Sequence, residues 1–147
     1  MFRALAKNVG VVGVNLGDSF LNQKDAERLK QRIAERNALE PGLNGEALDQ
    51  FAAAKYVESG ASHAKAGLVT VKDAAECIDH IVKVTDIDHV GIGSDFDGVP
   101  GLPQGLEDES KMPALTAALL RRGYTEADIR KIMGRNFLRV MREVVGN

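Results

Sequence analysis

Two short apolar runs, at residues 9–15 and 89–94, constrain the fold of this sequence more than any other feature. Both consist mainly of valine, isoleucine and glycine, and polar residues follow each of them. Continuous runs of this length are typical of strands buried on both faces, which occur mostly in parallel sheets. Because helical patterns lie between and after the runs, we predict an α/β fold in which helices connect parallel strands through right-handed crossovers.

Apolar residues at helical spacing account for much of the remaining chain. The predicted helices cover residues 2–7, 22–38, 45 or 46 to 58, 71–82, 113–122, 126–134 and 135–145. Capping boxes at Thr70–Asp73 and Thr125–Asp128 mark two of the helix starts. Loops are predicted at 60–69 and 95–111. Since two strands alone do not form a stable parallel sheet, the pattern indicates a piece of an α/β sheet.

Length and charge exclude several classes of protein. The chain has 147 residues, fewer than the roughly 200 that a complete (β/α)8 barrel needs. With 19 basic and 21 acidic residues and no basic stripe, it lacks the features of a nucleic-acid-binding protein. No apolar run approaches the ~18 residues of a membrane span, and the N-terminus shows no signal pattern. We therefore expect a cytoplasmic protein that has neither a membrane nor a nucleic acid as partner.

The candidate functional residues follow the two predicted strands. In α/β folds the carboxyl ends of the strands carry the functional groups, which selects Asn15 and the segment Ser94–Gly98. A carboxylate at Asp95 has three possible roles there: binding a substrate ammonium, assisting proton transfer or contacting a metal. The structural alternative is that Asp95 or Asp97 caps the turn by accepting backbone N–H bonds. The residues alone leave both interpretations open.

Metal-binding patterns are weak in this sequence. The three histidines, His63, His80 and His89, form no His-x-His or His-Glu-x-x-His motif. The single cysteine, Cys77, cannot form an internal disulfide or a cysteine-based zinc cluster, and it lies on the predicted core face of its helix. We therefore predict an inert buried thiol and no metal site formed by this chain.

Three motifs resemble the renal (membrane) dipeptidase family, the zinc peptidases of family M19. They are Asp79-His80-Ile81, the run from Asp88 to Val99 (DHVGIGSDFDGV) and the run from Arg135 to Val140 (RNFLRV). The stretches at 105–108, 110–111 and 113–116 also match, and residues 11–15 resemble the family's seventh barrel strand. The resemblance spans nearly the whole chain.

The resemblance implies a specific architecture and site. The family fold is a (β/α)8 barrel of the TIM type, in which two zinc ions and a bridging hydroxide hydrolyse dipeptides. On this mapping residues 1–147 form a single partial domain, the C-terminal part with strands seven and eight and their helices. Asp95 matches the active-site aspartate, which implies that it holds the α-amino group of a dipeptide and shuttles a proton to the leaving amine. Asn15 and Phe20 are implied to line the substrate pocket.

The same mapping places the family's metal ligands and its substrate-carboxylate arginine before Met1. Zinc is therefore expected in the complete family enzyme but not in this chain alone, which is also expected to lack hydrolytic activity. The strand edges left exposed would favour self-association or pairing with an N-terminal half. Two alternatives remain: a non-catalytic partial-barrel module that binds a partner chain, and an unrelated phosphate- or sugar-binding α/β protein.

Overall fold

The computed structural model describes residues 1–39, 69–99 and 101–146. The helix predicted to end at residue 58 lies outside the described residues, as does nearly all of the loop at 60–69. The elements in chain order are α1 (Phe2–Lys7), β1 (Val12–Asn15), α2 (Asp18–Leu21), α3 (Gln23–Leu39), α4 (Val71–Val84), β2 (Val90–Ser94), α5 (Met112–Arg121), α6 (Glu126–Arg130) and α7 (Asn136–Val145). Within these ranges, no helix is long and apolar enough to cross a membrane.

The two predicted strands pair in parallel, which confirms an α/β fold with a small sheet. Val12 lies opposite Val90, and the pairing continues in register to Val14. The register then shifts, so that Asn15 pairs with Ser94. This irregularity lies at the carboxyl ends of the strands, where the candidate functional residues begin.

Both strands start later than the apolar runs predicted. Val9 lies outside β1, with a φ of 57° in the left-handed region. Its N–H donates to the carbonyl of Ala6 at 3.0 Å, and that of Gly10 donates to Leu5 at 3.1 Å, so these residues close the end of α1. At the second strand, His89 belongs to a 3-10 turn rather than to β2.

The residues after β1 form a short helix, α2, which the sequence did not indicate. The N–H of Asn22 donates to the Asp18 carbonyl at 3.0 Å and closes this single turn. The Asn22 side chain then accepts from the Lys24 N–H at 2.9 Å. Because this bond satisfies an orphan N–H at a new helix start, α3 begins at Gln23, one residue after the predicted start.

The core lies between one face of the sheet and the helices α4, α5 and α6. Val14 and Val90 contribute from the sheet, and Ile78 and Leu119 are fully buried on the helices. Burying a side chain of this size stabilises the fold by about 1.5–3 kcal/mol. Both predicted capping boxes are present, at the starts of α4 and α6. This face of the sheet is thus covered by α4, which precedes β2 in the chain, and by α5 and α6, which follow it.

The opposite face of the sheet is formed by glycines. A Cβ added at Gly91 would lie 2.4 Å from Cε2 of Phe137, so the absence of a side chain there lets the ring lie against the strand. Gly93, nearer the carboxyl end of β2, is exposed. The glycine face is therefore covered by an aromatic ring at its amino end and uncovered, within the described part of the chain, near Asp95.

Helix α7 is anchored to the amino end of β2. The Asn136 amide donates to the carbonyls of Ile87 and Val90, both at 2.8 Å. The helical spacing places Met141 and Val144 on the same side of α7 as Phe137, but they are 58% and 79% exposed. The anchoring contacts lie in the first turns of the helix, and its far end extends past the described neighbouring elements.

The helix predicted to end at Gly134 is shorter than expected. Helix α6 ends at Arg130, and a π turn follows over Lys131–Arg135. Gly134 has a φ of 158°, which interrupts the helical backbone before α7. The kink changes the direction of the chain so that Asn136 can reach β2.

Candidate functional site

The site is formed by two side chains at the carboxyl ends of the paired strands. The Asn15 amide Nδ2 donates a hydrogen bond to Oδ2 of Asp95 at 2.7 Å. These residues are 80 positions apart in the sequence. Parallel pairing of β1 and β2 brings them together, because the ends of parallel strands meet at the same edge of the sheet.

A second hydrogen bond fixes the orientation of the Asn15 amide. The N–H of Gly17 donates to Asn15 Oδ1 at 2.7 Å. Because a backbone N–H requires an acceptor, this bond assigns the oxygen to the Gly17 side and leaves the NH₂ group facing Asp95. The N–H of Leu16 donates to the Ser94 carbonyl at 2.8 Å and continues the pairing beyond the register shift. The Asn15 side-chain oxygen is thus bound by Gly17, two residues further along the chain, and the NH₂ group faces Asp95 at the end of β2.

The backbone that carries Asp95 has an uncommon conformation. Ser94 and Asp95 have φ values of 42° and 71°, in the left-handed region that non-glycine residues seldom adopt. Such conformations cluster at active sites and ligand-binding turns, where surrounding contacts maintain them. The turn is closed by the Gly98 N–H, which donates to the Asp95 carbonyl at 3.1 Å.

Gly98 also provides the space that the Asp95 side chain occupies. A Cβ added at Gly98 would lie 2.1 Å from Asp95 Oδ1, far inside van der Waals contact. The carboxylate therefore has an amide donor at one oxygen and the bare Cα of a glycine beside the other. The Asp95 residue is exposed, so its charge is accessible to a ligand.

The other predicted site residues have different surroundings. Phe20 lies on α2, is 65% exposed and does not take part in the Asn15–Asp95 hydrogen bond. Asp97, the alternative turn-capping residue, is exposed within the turn that follows β2. In the described residues the Asp95 carboxylate accepts from a side-chain amide of another strand, and not from a turn N–H as the structural alternative predicted.

The described residues do not fit a zinc site. Across 1–39, 69–99 and 101–146, no three His, Cys, Asp or Glu side chains lie close enough together to hold a metal ion. Nδ1 of His89 lies 2.7 Å from the Gly10 carbonyl, at the amino end of β2 and far from Asp95 along the strand. The exposed His80 contacts the Phe2 ring edge to face. His63 lies outside the described residues.

Cys77 is half-buried on α4. Burial raises the pKa of its thiol, because the thiolate form would lose hydration. The raised pKa favours the protonated form of the thiol. The predicted burial of Cys77 is only partial.

The arrangement at Asp95 can bind a cation. A carboxylate held by a neutral donor keeps its negative charge, and an exposed oxygen beside a glycine can approach an ammonium group closely. Sequence reasoning selected Asn15 and Asp95 but missed their hydrogen bond and the role of Gly98. The sequence feature that could have indicated the role of Gly98 is its place three positions after the candidate carboxylate Asp95.

Comparison with known proteins gives the family. The model of the membrane dipeptidase family, peptidase family M19, matches residues 1–146. Dipeptidase tcpJ of Claviceps purpurea is 48% identical over 75 residues, which cover 51% of this chain and 18% of the relative. The uncharacterized dipeptidase C965.12 of Schizosaccharomyces pombe is 49% identical over 75 residues, covering 50% and 18%. The chain thus aligns with less than a fifth of either relative.

Solved structures of the same family resemble most of this chain. The dipeptidase AC, a metallopeptidase of family M19, has a TM-score of 0.65 and 25% identity, with 99% of this chain and 32% of that chain covered. The probable dipeptidase PvdM from Pseudomonas aeruginosa has a TM-score of 0.65 and 30% identity, covering 94% and 38%. A metallopeptidase from Rhodobacter sphaeroides, liganded with a phosphinate mimic of the dipeptide L-Ala-D-Ala, has a TM-score of 0.58 and 26% identity, covering 92% and 28%. Since the family model matches nearly every residue, the chain belongs to the membrane dipeptidase family, peptidase family M19.

Proposed function

We propose that this chain is the C-terminal part of a zinc-dependent dipeptidase barrel, contributing strands seven and eight with their helices. In this role β1 and β2 are the last two strands, and Asp95 holds the free amino group of a dipeptide. The observation that carries the proposal is the hydrogen bond between Asn15 and Asp95 at the carboxyl ends of the two strands. The carboxyl ends of barrel strands are where the enzymes of this fold class have their catalytic residues.

The proposed contribution of the chain is to bind and orient the substrate. The ammonium of the dipeptide would pair with the Asp95 carboxylate. The same carboxylate would take up the proton that the attacking water loses and pass it to the leaving amine. Phe20, exposed on the helix that follows β1, would contact the side chain of the substrate. The described residues form no zinc site, so no step assigned to this chain runs through a metal. In the complete family enzyme, the zinc ions supply the hydroxide.

The substrate class follows from the chemistry of the site and from the relatives. An accessible carboxylate favours a substrate with a free amino group over one whose amine is acylated. The metallopeptidase from Rhodobacter sphaeroides binds a mimic of L-Ala-D-Ala. We therefore propose dipeptides with a free N-terminus as substrates.

Hydrolysis of dipeptides by the protein expressed from its complete natural reading frame and loaded with zinc tests this function. We expect Asp95→Asn to lower kcat/KM by about 100-fold, because the carboxamide cannot pair with the ammonium charge. The matched control, Asp97→Asn, removes a charge two residues away and should leave kcat/KM nearly unchanged. The proposal is wrong if Asp95→Asn retains activity, or if the natural protein hydrolyses no dipeptide.

A second function, a non-catalytic module that binds a partner chain, is favoured by the exposed apolar end of α7. Met141 and Val144 present apolar surface there without burying it against the described elements. Purification of the tagged chain from its natural host separates the two functions. A stoichiometric partner in a complex without peptidase activity would support the module, whereas hydrolysis that depends on Asp95 would support the dipeptidase.

A further inference from the structure

We infer that Asn15 is a positioning residue that acts on the substrate only through Asp95. This inference rests on the proposed function and assigns Asn15 a different role from the pocket-lining contact that the family resemblance implies. Both polar ends of the Asn15 side chain are already engaged, one by Asp95 Oδ2 and the other by the Gly17 N–H, each at 2.7 Å. One N–H of the amide is not used by these two bonds, but the bonds fix the direction in which it points, so the side chain cannot turn towards a ligand.

The geometry explains why a donor is needed at this position. Ser94 and Asp95 both have a left-handed backbone, so the regular geometry of a strand does not set the direction of the Asp95 carboxylate. The Asn15 donor holds Oδ2 from the neighbouring strand. Gly98, whose absent side chain would lie 2.1 Å from Oδ1, leaves room for that oxygen on the other side. The two contacts together define one orientation of the carboxylate.

An amide suits this role better than a charged donor. A lysine or arginine at residue 15 would hold the carboxylate but would also neutralise it, and the site would lose its attraction for a cation. The neutral Asn15 amide fixes Oδ2 and leaves the full negative charge of Asp95 available. Oδ1 is then the oxygen that we assign to the substrate ammonium.

A double-mutant cycle in the zinc-loaded natural protein tests the inference. We expect Asn15→Ala to raise KM for a free dipeptide about tenfold, since it loosens the hold of Asp95 on the ammonium. It should also lower kcat, because the same carboxylate is proposed to pass the proton to the leaving amine. In the Asp95→Asn background, Asn15→Ala should raise KM by less than about twofold, because its effect passes through the lost carboxylate. A merely structural role would instead lower the amount of folded enzyme and leave KM unchanged.

Two results would overturn the inference while leaving the proposed function intact. Multiplicative effects of the two substitutions on KM would mean that Asn15 contacts the substrate directly. An unchanged KM in Asn15→Ala would mean that the amide does not position the carboxylate at all.

A measurement that does not require activity separates the inference from the proposed function. In the isotope-labelled chain, we expect solvent exchange of the Asn15 side-chain amide protons to accelerate on Asp95→Ala and to stay unchanged on Asp97→Ala. Equal exchange in all three proteins would show that the hydrogen bond is not formed in solution and would overturn the inference alone. If the Asn15 amide protons exchange slowly but the natural protein hydrolyses no dipeptide, the proposed function is wrong. The role of Asn15 in substrate binding is then wrong as well.

Discussion

Gly98 has no side chain at the place where Asp95 needs room for its carboxylate. A methyl group there would lie 2.1 Å from Oδ1, and Gly98 does not have a left-handed φ, so the clash is the main obstacle to a larger residue. We expect Gly98→Ala to lower the free energy of unfolding by about 1–3 kcal/mol, measured by urea denaturation. In an Asp95→Ser background, where the side chain is shorter, the loss should be smaller. An equal loss in both backgrounds would contradict the proposed clash.

Single residues also show how far the sequence predicts the site. The rule that functional groups follow strands selected Asn15 and Asp95 as separate candidates, and the structure brings their side chains together. The rule could not give their hydrogen bond, because that contact depends on the register shift that pairs Asn15 with Ser94. The left-handed φ values of Ser94 and Asp95 could not be predicted from the sequence either, since neither residue type requires them. Local propensity does not encode a contact made across 80 positions.

At the scale of the elements, Asn136 joins α7 to the start of β2. It is buried, and its amide donates to two carbonyls at 2.8 Å. We expect Asn136→Ala to lower the free energy of unfolding by about 2–3 kcal/mol, because one buried and one partly buried acceptor lose their donor. Thermal or urea denaturation measures this loss. Asn8→Ala, at an exposed position, is the control and should change stability by less than about 0.5 kcal/mol. Similar losses for both variants would show that the Asn136 contacts contribute little.

The capping box of α6 gives a prediction about acidity. The hydroxyl and the backbone N–H of Thr125 both donate to Asp128, and these bonds lower the pKa of the Asp128 carboxyl below its usual value. The carboxylate therefore stabilises the fold above the ordinary pKa of about 3.9, and this contribution is lost as the pH falls through the lower pKa of the folded state.

Thr125→Ala removes the hydroxyl donor of that box. We expect the pKa of Asp128 to rise towards its ordinary value, as followed by NMR titration of the side chain. Thr70→Ala, in the equivalent box of α4, is the matched control and should leave Asp128 unchanged. An unaltered Asp128 pKa in Thr125→Ala would show that the hydroxyl bond is not formed in solution.

The elements themselves were predicted unevenly, for physical reasons. Capping boxes and apolar spacing gave the starts of α4 and α6, because both signals are local and the side chains satisfy the first N–H groups directly. The start of β1 was predicted three residues early, since Val9 has strand propensity but closes the end of α1 instead. Helix α2 is a single turn without apolar periodicity, so no sequence pattern indicates it.

At the scale of the whole molecule, the chain matches its family over nearly all of its own length but only about a third of the solved structures. We expect the purified and dialysed 147-residue chain to retain almost no zinc, because the described residues bring no set of ligands together. Elemental analysis measures this directly. A complete zinc-loaded dipeptidase of the same family, dialysed in parallel, is the positive control. A value near two for the 147-residue chain would contradict the mapping of the ligands upstream.

The two ends of strand β2 have different neighbours. Asn136 binds the backbone at its amino end, whereas Asp95 follows its carboxyl end. A five-residue strand separates these positions by roughly 15 Å, beyond the range at which substitutions usually influence one another. Substitutions at the amino end are therefore expected to change stability without changing the binding of an amino group that we propose for Asp95. Homologues that differ in thermal stability are therefore expected to differ in the residues that hold α7 and to keep the residues around Asp95.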